Sequence, residues 1–439
     1  MSWELVLLLF FGGFILLMMT GMSIAFCFML INMVALSLFW GFDNAMRSLV
    51  LNIFGSVTSF VLLPLPLFIL MGEVMYHGGL APNMIGALEK WMGRLTGRLS
   101  ILAIMGGTLF ANLSGSSIGS AAMLGSTLLP DMERRGYKKP MILGPIMAGG
   151  CLAAMIPPTG LGVLVGAMGE ISIGKLLIAI YIPGLLLAAI YLTYILIRCR
   201  LQPQLAPAYS VPSVTLSEKL TSFARYVLPV GFVFFMVVGL IFFGVATPTE
   251  AGAAGVLAST ILIAAYGRLN WPVIKKSFAG TINMGAMVLM IIVGAKAFGN
   301  VLAYSGATTG IVEMAGGLGV PPLVIVILMQ IVVLILGCFM DPVPITMIAL
   351  PIYMPIIKLL GFDPIWFGVV FLLNIELSAI TPPFGLVLFV LKNVAPPGTK
   401  LQDIYLAAYP IVLLQFLAMA LLIAFPALSL WLPGLMLSH

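Results

Sequence analysis

Four short stretches place polar or helix-breaking groups inside apolar runs long enough to cross a bilayer. They are "NLSGSS" (112–117), "IPPTG" (156–160), "MDPVP" (340–344) and "NIELSAITPPFGLVLF" (374–389). Each is costly in hydrocarbon. Proline removes a backbone donor and leaves a carbonyl unpaired. A charge at the membrane centre costs about 2.5–3.5 kcal/mol on insertion scales. Such irregular backbone survives at membrane depth only where protein or a watery cavity surrounds it. There the freed carbonyls, hydroxyls and helix ends can bind ions. Oxygen ligands of this kind suit a hard cation such as Na⁺. The expected cation ligands are Asn112, Ser114, Gly115 and Ser116, then Pro157 and Thr159, then Met340 and Asp341, and finally Thr381, Pro383 and Gly385. Ser116, Ser117, Pro158, Pro342 and Pro382 are the expected contacts of a bound anion, which half-helix N-termini favour.

Each assignment has a plainer rival. Ser and Gly also serve close helix packing in membranes. Asp341 reads equally as a cation ligand or as the N-cap of a half-helix. Glu376, five residues before its break, either supports the cation site or pairs with a neighbour. Glu73 and Lys296 read as groups that lock the fold through ion pairs or hydrogen bonds rather than as ligands. "GVATPTEAGAAG" (244–255) reads as a loop and helix start in which Thr249 or Glu250 satisfies the first amides.

The elements that hold these groups must be membrane helices. The chain is 62% hydrophobic and 8% charged, with mean hydropathy +1.20, whereas soluble domains carry about 25% charged residues. Apolar stretches of spanning length recur from end to end. The period-2 alternation of a β-barrel is absent. The fold class is therefore all-α and polytopic. The stretch 3–19 lacks a basic n-region, so it reads as a first membrane helix and not as a signal peptide. The net charge of +6 needs no nucleic acid, because Lys and Arg concentrate in short loops. Cys27, Cys151, Cys199 and Cys338 have neither disulfide nor metal spacing and read as small core residues. With only His77 and His439 present, a catalytic histidine has little support.

Two halves are visible. Pro130, Gly136, Pro157, Pro158 and Gly160 recur as Pro355, Gly361, Pro382, Pro383 and Gly385, all at an offset of 225. "GEVMYHGGLA" (72–81) matches "GNVLAYSGAT" (299–308) at 227. Each half carries a Gly/Ser- or Pro-broken hairpin and then a helix broken at Pro-Pro, the best sequence pointer to a transport site. All 20 basic residues except Arg47, Lys175, Lys296 and Lys358 fall on one side of the threaded chain, which the positive-inside rule makes cytoplasmic. That places the N-terminus outside and opens the two hairpins from opposite sides, so the halves are inverted. The expected N-terminal half, 1–225, holds spans near 3–20, 23–40 and 50–76, an interfacial arm at 80–98, a hairpin at 99–130 and a broken helix at 140–168. A helix near 176–198 and a polar linker at 199–222 complete it. The C-terminal half, 226–439, holds spans near 226–246 and 250–266, an arm at 268–279 and a span near 281–304. A hairpin at 322–357, a broken helix at 364–391 and a last span near 403–432 follow. Arg47 and Lys175, on the outer side, suit an acidic partner.

These motifs together resemble the large membrane subunit of tripartite ATP-independent periplasmic (TRAP) transporters, the DctM-like family. The stretches that carry the resemblance include "TGMSIAF" (20–26), "PLFILMGEVMYHGGL" (66–80), "SGSSIGSAAMLG" (114–125), "GEISIGKLLIAIYIPGLLL" (169–187), "TPTEAGA" (247–253), "MDPVPI" and "NIELSAITPPFGLVLF". The resemblance implies an ion-transporter-superfamily architecture and an elevator motion of the hairpins and broken helices against a scaffold that includes the arms. It implies sodium-coupled import of an organic acid anion across a bacterial inner membrane. Sialic acid, C4-dicarboxylates and 2-oxo or hydroxy acids all fit. It further implies two partners, a small four-helix DctQ-like membrane subunit, expected as a separate polypeptide, and a periplasmic substrate-binding protein.

The nearest rival is a stand-alone sodium/dicarboxylate carrier of the divalent-anion type without a binding protein. Such carriers have a Ser-Asn-Thr signature at both sites, where this chain has "SGSS" and "MDPVP". An intramembrane serine protease is disfavoured, because a nucleophile needs a neighbouring base and only His77 is at hand. The chain is not expected to be an enzyme.

Overall fold

The computed structural model describes residues 3–93, 95–114, 117–209, 214–317, 319–396 and 398–436, without the side chains of 110–114 and 315. The described residues form helices and connecting turns, with no strand. Seven helices among them are long and apolar enough to cross a membrane. An apolar solvent leaves the backbone no partner but itself, so apolar sequence of this length folds as helix.

One group of helices forms a scaffold. Pro64–His77 packs against Pro248–Ala265 and Trp271–Tyr304, and Ile24–Trp40 packs against the last of these. Small residues set the approach: Gly252 lies on Leu67 and Phe68, Gly255 on Met71 and Val237, and Gly294 on Phe28. Phe298 sits edge-on to Phe10, Phe11 and Phe28 at 5.6–6.0 Å. The Asn32 amide donates to the Gly294 carbonyl at 2.6 Å.

The second group holds the interrupted elements. Hairpin 1 is Arg98–Ser114 and Ser117–Arg134. Broken helix 1 runs through Lys139–Cys151 and Leu152–Ala154, is interrupted at 155–159 and resumes as Gly160–Met168. Hairpin 2 is Pro322–Gly337 and Pro342–Leu359. Broken helix 2 is Pro364–Ala379 and Leu386–Val394. Both Pro-Pro bonds, Pro157-Pro158 and Pro382-Pro383, are cis. In Lys139–Cys151 every residue from Met141 onward is buried. Hairpin 1 and broken helix 1 cross so closely that a methyl group on Gly107 would overlap the backbone of Gly149.

Near the basic side, the arm Ala81–Trp91 meets the start of hairpin 1. Arg98, 3% exposed, pairs with Glu89 at 3.1 Å and donates to the Glu89 and Gly93 carbonyls. Tyr209 of the linker lies under Arg135 at 3.8 Å and donates to Glu89 at 3.3 Å. Burial pushes the Tyr209 phenol up, so it stays a neutral donor.

Several boundaries differ from expectation. The span near 50–76 is two helices, Phe42–Val57 and Pro64–His77, joined by the short turn Phe60–Leu62. Pro64 and Pro66 lack the amides that would continue the first helix. The segment 268–279 opens the continuous 34-residue helix Trp271–Tyr304, because Pro272 falls at a helix start, where its missing amide costs nothing. The helix Ala307–Gly317 was not foreseen. The last span ends at Ala424 and a short helix, Ala427–Gly434, follows Pro426. The cap of Pro248–Ala265 is Thr247 and not Thr249; its hydroxyl accepts the Glu250 amide at 3.3 Å while Glu250 accepts the Thr247 amide at 2.8 Å.

The glycine crossing yields a prediction. Gly107→Val or Gly149→Val must drive two helix backbones apart, and overpacking of this kind costs about 1–3 kcal/mol or more. Either change should lower the melting temperature of the purified protein by several degrees. Gly239→Ala, where a Cβ meets nothing within 4 Å, should leave it unchanged or raise it. Equal behaviour of the two sites in a thermal-shift assay would contradict the close crossing.

Candidate functional site

Both hairpins and both broken helices contribute walls to one cavity of ≈ 300 Å³. Hairpin 1 contributes Ser117 and Ile118, broken helix 1 Ala154 and Gly160, hairpin 2 Asp341 and Pro342, and broken helix 2 Glu376 and Ala379. The scaffold closes the other side with apolar groups, among them Leu65, Met284 and Val288. A larger groove of ≈ 610 Å³ lies between Tyr181–Leu201 and Leu401–Ala424, but its walls are mostly apolar and hold no carboxylate. The smaller cavity has the convergent polar groups of a binding site.

Three features give the cavity its chemistry. Glu376 is 1% exposed; Ser117 lies within hydrogen-bonding reach of its carboxylate, while Oε2 has no partner among the described residues. Asp341 lies close enough to interact with Glu376 electrostatically, and its Oδ1 accepts the Val343 amide at 3.1 Å. Asp341 is thus the N-cap of hairpin 2's second helix and a wall of the cavity at once. The Thr159 hydroxyl, fully buried in the break between two cavity-lining residues, has no partner among the described residues. A buried polar group left unpaired costs about 1–3 kcal/mol. A hydroxyl and a carboxylate oxygen in that condition are ligand types that a hard cation takes.

The foreseen residues divide clearly. Ser117, Asp341 and Pro342 line the cavity. Pro157, Pro158 and Thr159 are buried at the adjoining break, and Met340 is buried beside Asp341. Thr381 instead donates its hydroxyl to the Leu377 carbonyl at 2.6 Å. Tyr405 donates to the Pro383 carbonyl at 2.6 Å, and Gly385 packs on the Ala379 carbonyl. At this break the cavity wall is Glu376, Ala379 and Leu386, with neither Thr381 nor Pro382, Pro383 or Gly385 in it. The side chains of Asn112 and Ser114, and Gly115 and Ser116 entirely, lie outside the described residues. Glu73 pairs with His77 at 3.1 Å; Lys296 has no ion pair among the described residues and lines a different cavity.

One buried polar pair, between broken helix 2 and hairpin 2, was missed. Asn374 donates to the Gln330 side chain at 2.7 Å and to its carbonyl at 2.6 Å, both residues being buried. Asn374 opens the "NIELS" stretch, and Gln330 is the one polar residue in "LVIVILMQIVVLILG" (323–337), which was the available signal. The scaffold wall, by contrast, consists of ordinary apolar residues with no local mark.

Hairpins and broken helices enclosing a charged cavity within a helical membrane protein define a membrane transporter fold. Two solved transporters share it. The YdaH transporter of Alcanivorax borkumensis superposes with TM-score 0.60 at 17% identity, covering 88% of this chain and 89% of that one. MtrF of Neisseria gonorrhoeae, described as illuminating a class of antimetabolite efflux pumps, superposes with TM-score 0.62 at 13% identity, covering 88% and 84%. The family model "Tripartite ATP-independent periplasmic transporter, DctM component" matches residues 11–428, and the chain belongs to that family. Among its relatives, the C4-dicarboxylate TRAP transporter large permease protein DctM of Pseudomonas aeruginosa is 35% identical over 89% of this chain and 90% of that protein. The protein of the same description from Rhodobacter capsulatus is 31% identical over 98% and 99%. The sialic acid TRAP transporter large permease protein SiaM of Vibrio cholerae is 28% identical over 88% and 89%.

The two roles of Asp341 separate by substitution. Asp341→Asn keeps a cap acceptor, whereas Asp341→Ala loses about 1 kcal/mol of helix stability. Melting temperature should therefore fall for the alanine variant and hold for the asparagine one, while transport falls in both. Full transport by Asp341→Asn would reduce the residue to a cap.

Proposed function

We propose that the chain imports an organic acid anion coupled to Na⁺, with the cation held between Thr159, Glu376 and Asp341. The observation that carries this reading is the pair of buried oxygens without a partner among the described residues, Thr159 Oγ1 and Glu376 Oε2. An acidic wall also supplies a reason for coupling. Two like charges 4 Å apart repel by about 4 kcal/mol at an effective dielectric of 20, more than 100-fold in affinity. Na⁺ must then bind before or with the anion, which meets a neutralised wall and the adjacent half-helix ends.

The inverted-repeat reading is supported by packing. Cys151 and Glu376, 225 residues apart, touch: the Cys151 thiol lies 3.8 Å from the Glu376 carbonyl. Equivalent residues meet only near the axis that relates two repeats. The second helix of hairpin 1 packs on Leu386–Val394, and that of hairpin 2 packs on Gly160–Met168, so each half clasps the other's broken helix. The two clasped units would move together past the scaffold in an elevator cycle. Its setting is a bacterial inner membrane, with the N-terminus periplasmic and the basic loops inside. The family's tripartite organisation supplies a small four-helix subunit and a periplasmic binding protein as partners. Relatives named for C4-dicarboxylate, sialic acid and 2,3-diketo-L-gulonate support an organic acid as the substrate. The stand-alone carrier is disfavoured by the family membership.

The test is uptake by liposomes holding the chain and its small subunit, with and without an inward Na⁺ gradient and the cognate binding protein. Uptake should need both. Thr159→Val keeps the volume and removes one oxygen; the Na⁺ concentration for half-maximal uptake should rise about 10-fold, equivalent to about 1.4 kcal/mol. Uptake indifferent to Na⁺ in the native protein would refute the sodium site, and uptake without binding protein would favour the stand-alone carrier.

A further inference from the structure

A second cavity, of ≈ 260 Å³, carries Lys296, Lys358, Glu170 and Asn300 on its walls. It lies between the same two bodies as the central one. Lys296 and Asn300 belong to scaffold helix Trp271–Tyr304, Lys358 to hairpin 2, and Glu170 follows broken helix 1.

The two cavities share one seam. On the scaffold helix, Met284 and Val288 face the central cavity and Ala295 and Gly299 the second; the spacing of 4, 7 and 4 residues keeps all four on one stripe. On hairpin 2, Val343 faces the first, and Leu350, Met354 and Lys358 face the second, again at 7, 4 and 4. On broken helix 1, Gly160 and Leu164 face the first and Ala167 and Met168 the second. Three helices thus line both cavities with a single face each. From Val288 to Ala295 is seven residues, about 10 Å of helix. The turn between carries Ile291 on the scaffold and Met347 on hairpin 2, both buried and apolar.

The second cavity lies on the side away from the basic loops. Lys296 is 20 residues beyond Lys276 in one unbroken helix, about 30 Å along its axis and the full thickness of a hydrocarbon core. Lys296 is half-buried, and neither lysine makes an ion pair among the described residues, although Glu170 shares the cavity. A half-buried ammonium outside any ion pair, with the exposed Lys358 adding a second positive charge against the single Glu170, favours an anion.

Resting on the transport reading above, we propose that this cavity is an outer anion station: Lys296 and Lys358 take the carboxylate of the organic acid before it passes the Ile291–Met347 step into the central cavity. The station contains positive charge where the central wall contains negative charge, so it can hold the anion while no Na⁺ is bound.

The test uses the complex in liposomes and nanodiscs of phosphatidylcholine alone. In uptake assays Lys296→Gln and Lys358→Gln should each raise KM about 5- to 10-fold with kcat held within twofold, and should flatten the dependence of KM on ionic strength. Lys296→Arg should restore both. Independently of transport, succinate, pyruvate and N-acetylneuraminate form a probe panel against acetylation of the lysines by a water-soluble amine reagent, read by mass spectrometry. At least one should protect Lys296 and Lys358, and dimethyl succinate should not. A fall in kcat at unchanged KM, unchanged kinetics, or absence of protection by every acid would overturn the station. Protection that appears only when anionic lipid is added would assign the lysines to headgroups and overturn it too. Protection with no Na⁺-driven uptake would keep the station and sink the transport reading instead.

Discussion

Every polar group of the backbone must find a partner within the protein when lipid surrounds it. Most of this chain meets that demand by being helical. At 155–159 and 380–385 it does not, and both interruptions need a wrapping of other helices. That need explains why Met141–Cys151 is buried throughout, why hairpin 1 presents glycine to glycine where it crosses broken helix 1, and why each hairpin packs on the broken helix of the opposite half. The site is therefore a by-product of enclosure: covering two broken helices with two hairpins leaves a space between their ends, and that space is the cavity.

Within the cavity, charge decides the chemistry. Two carboxylates and the serine Ser117 face a wall that is otherwise apolar, with the Thr159 hydroxyl buried at the adjoining break. Asp341 has its own helix amide to lean on, whereas Glu376 has one oxygen with no protein partner among the described residues. The difference matters, because a capped carboxylate is stable without a ligand and an unpartnered one is not. In the proposed cycle Glu376 and Thr159 respond to the cation, and Asp341 holds hairpin 2 in shape whether or not the cation is there.

The hairpins and broken helices were legible because their signal is chemical: prolines, glycines and a carboxylate stand out sharply against an apolar run. Asp341 and Ser117 were readable for the same reason. Thr381 looked as good as Thr159 on paper, yet its hydroxyl turns back onto its own helix at Leu377, whereas that of Thr159 has no partner among the described residues. The scaffold wall of Leu65, Met284 and Val288 has no mark that distinguishes it from lipid-facing neighbours. The helix Ala307–Gly317 was passed over because its small, glycine-bearing sequence resembles a loop, and the join at 271–304 because a basic stretch followed by an apolar one resembles two elements.

The crossing of Gly107 over Gly149 has a mechanical side. Many neighbouring helices touch through side chains, such as Gly252 on Leu67 and Phe68, that can change rotamer and absorb small displacements. Here main chain lies on main chain, with nothing between to yield. A joint of that kind has no slack. Displacing either helix at this point means displacing the other, so hairpin 1 and the first part of broken helix 1 are joined as one body there.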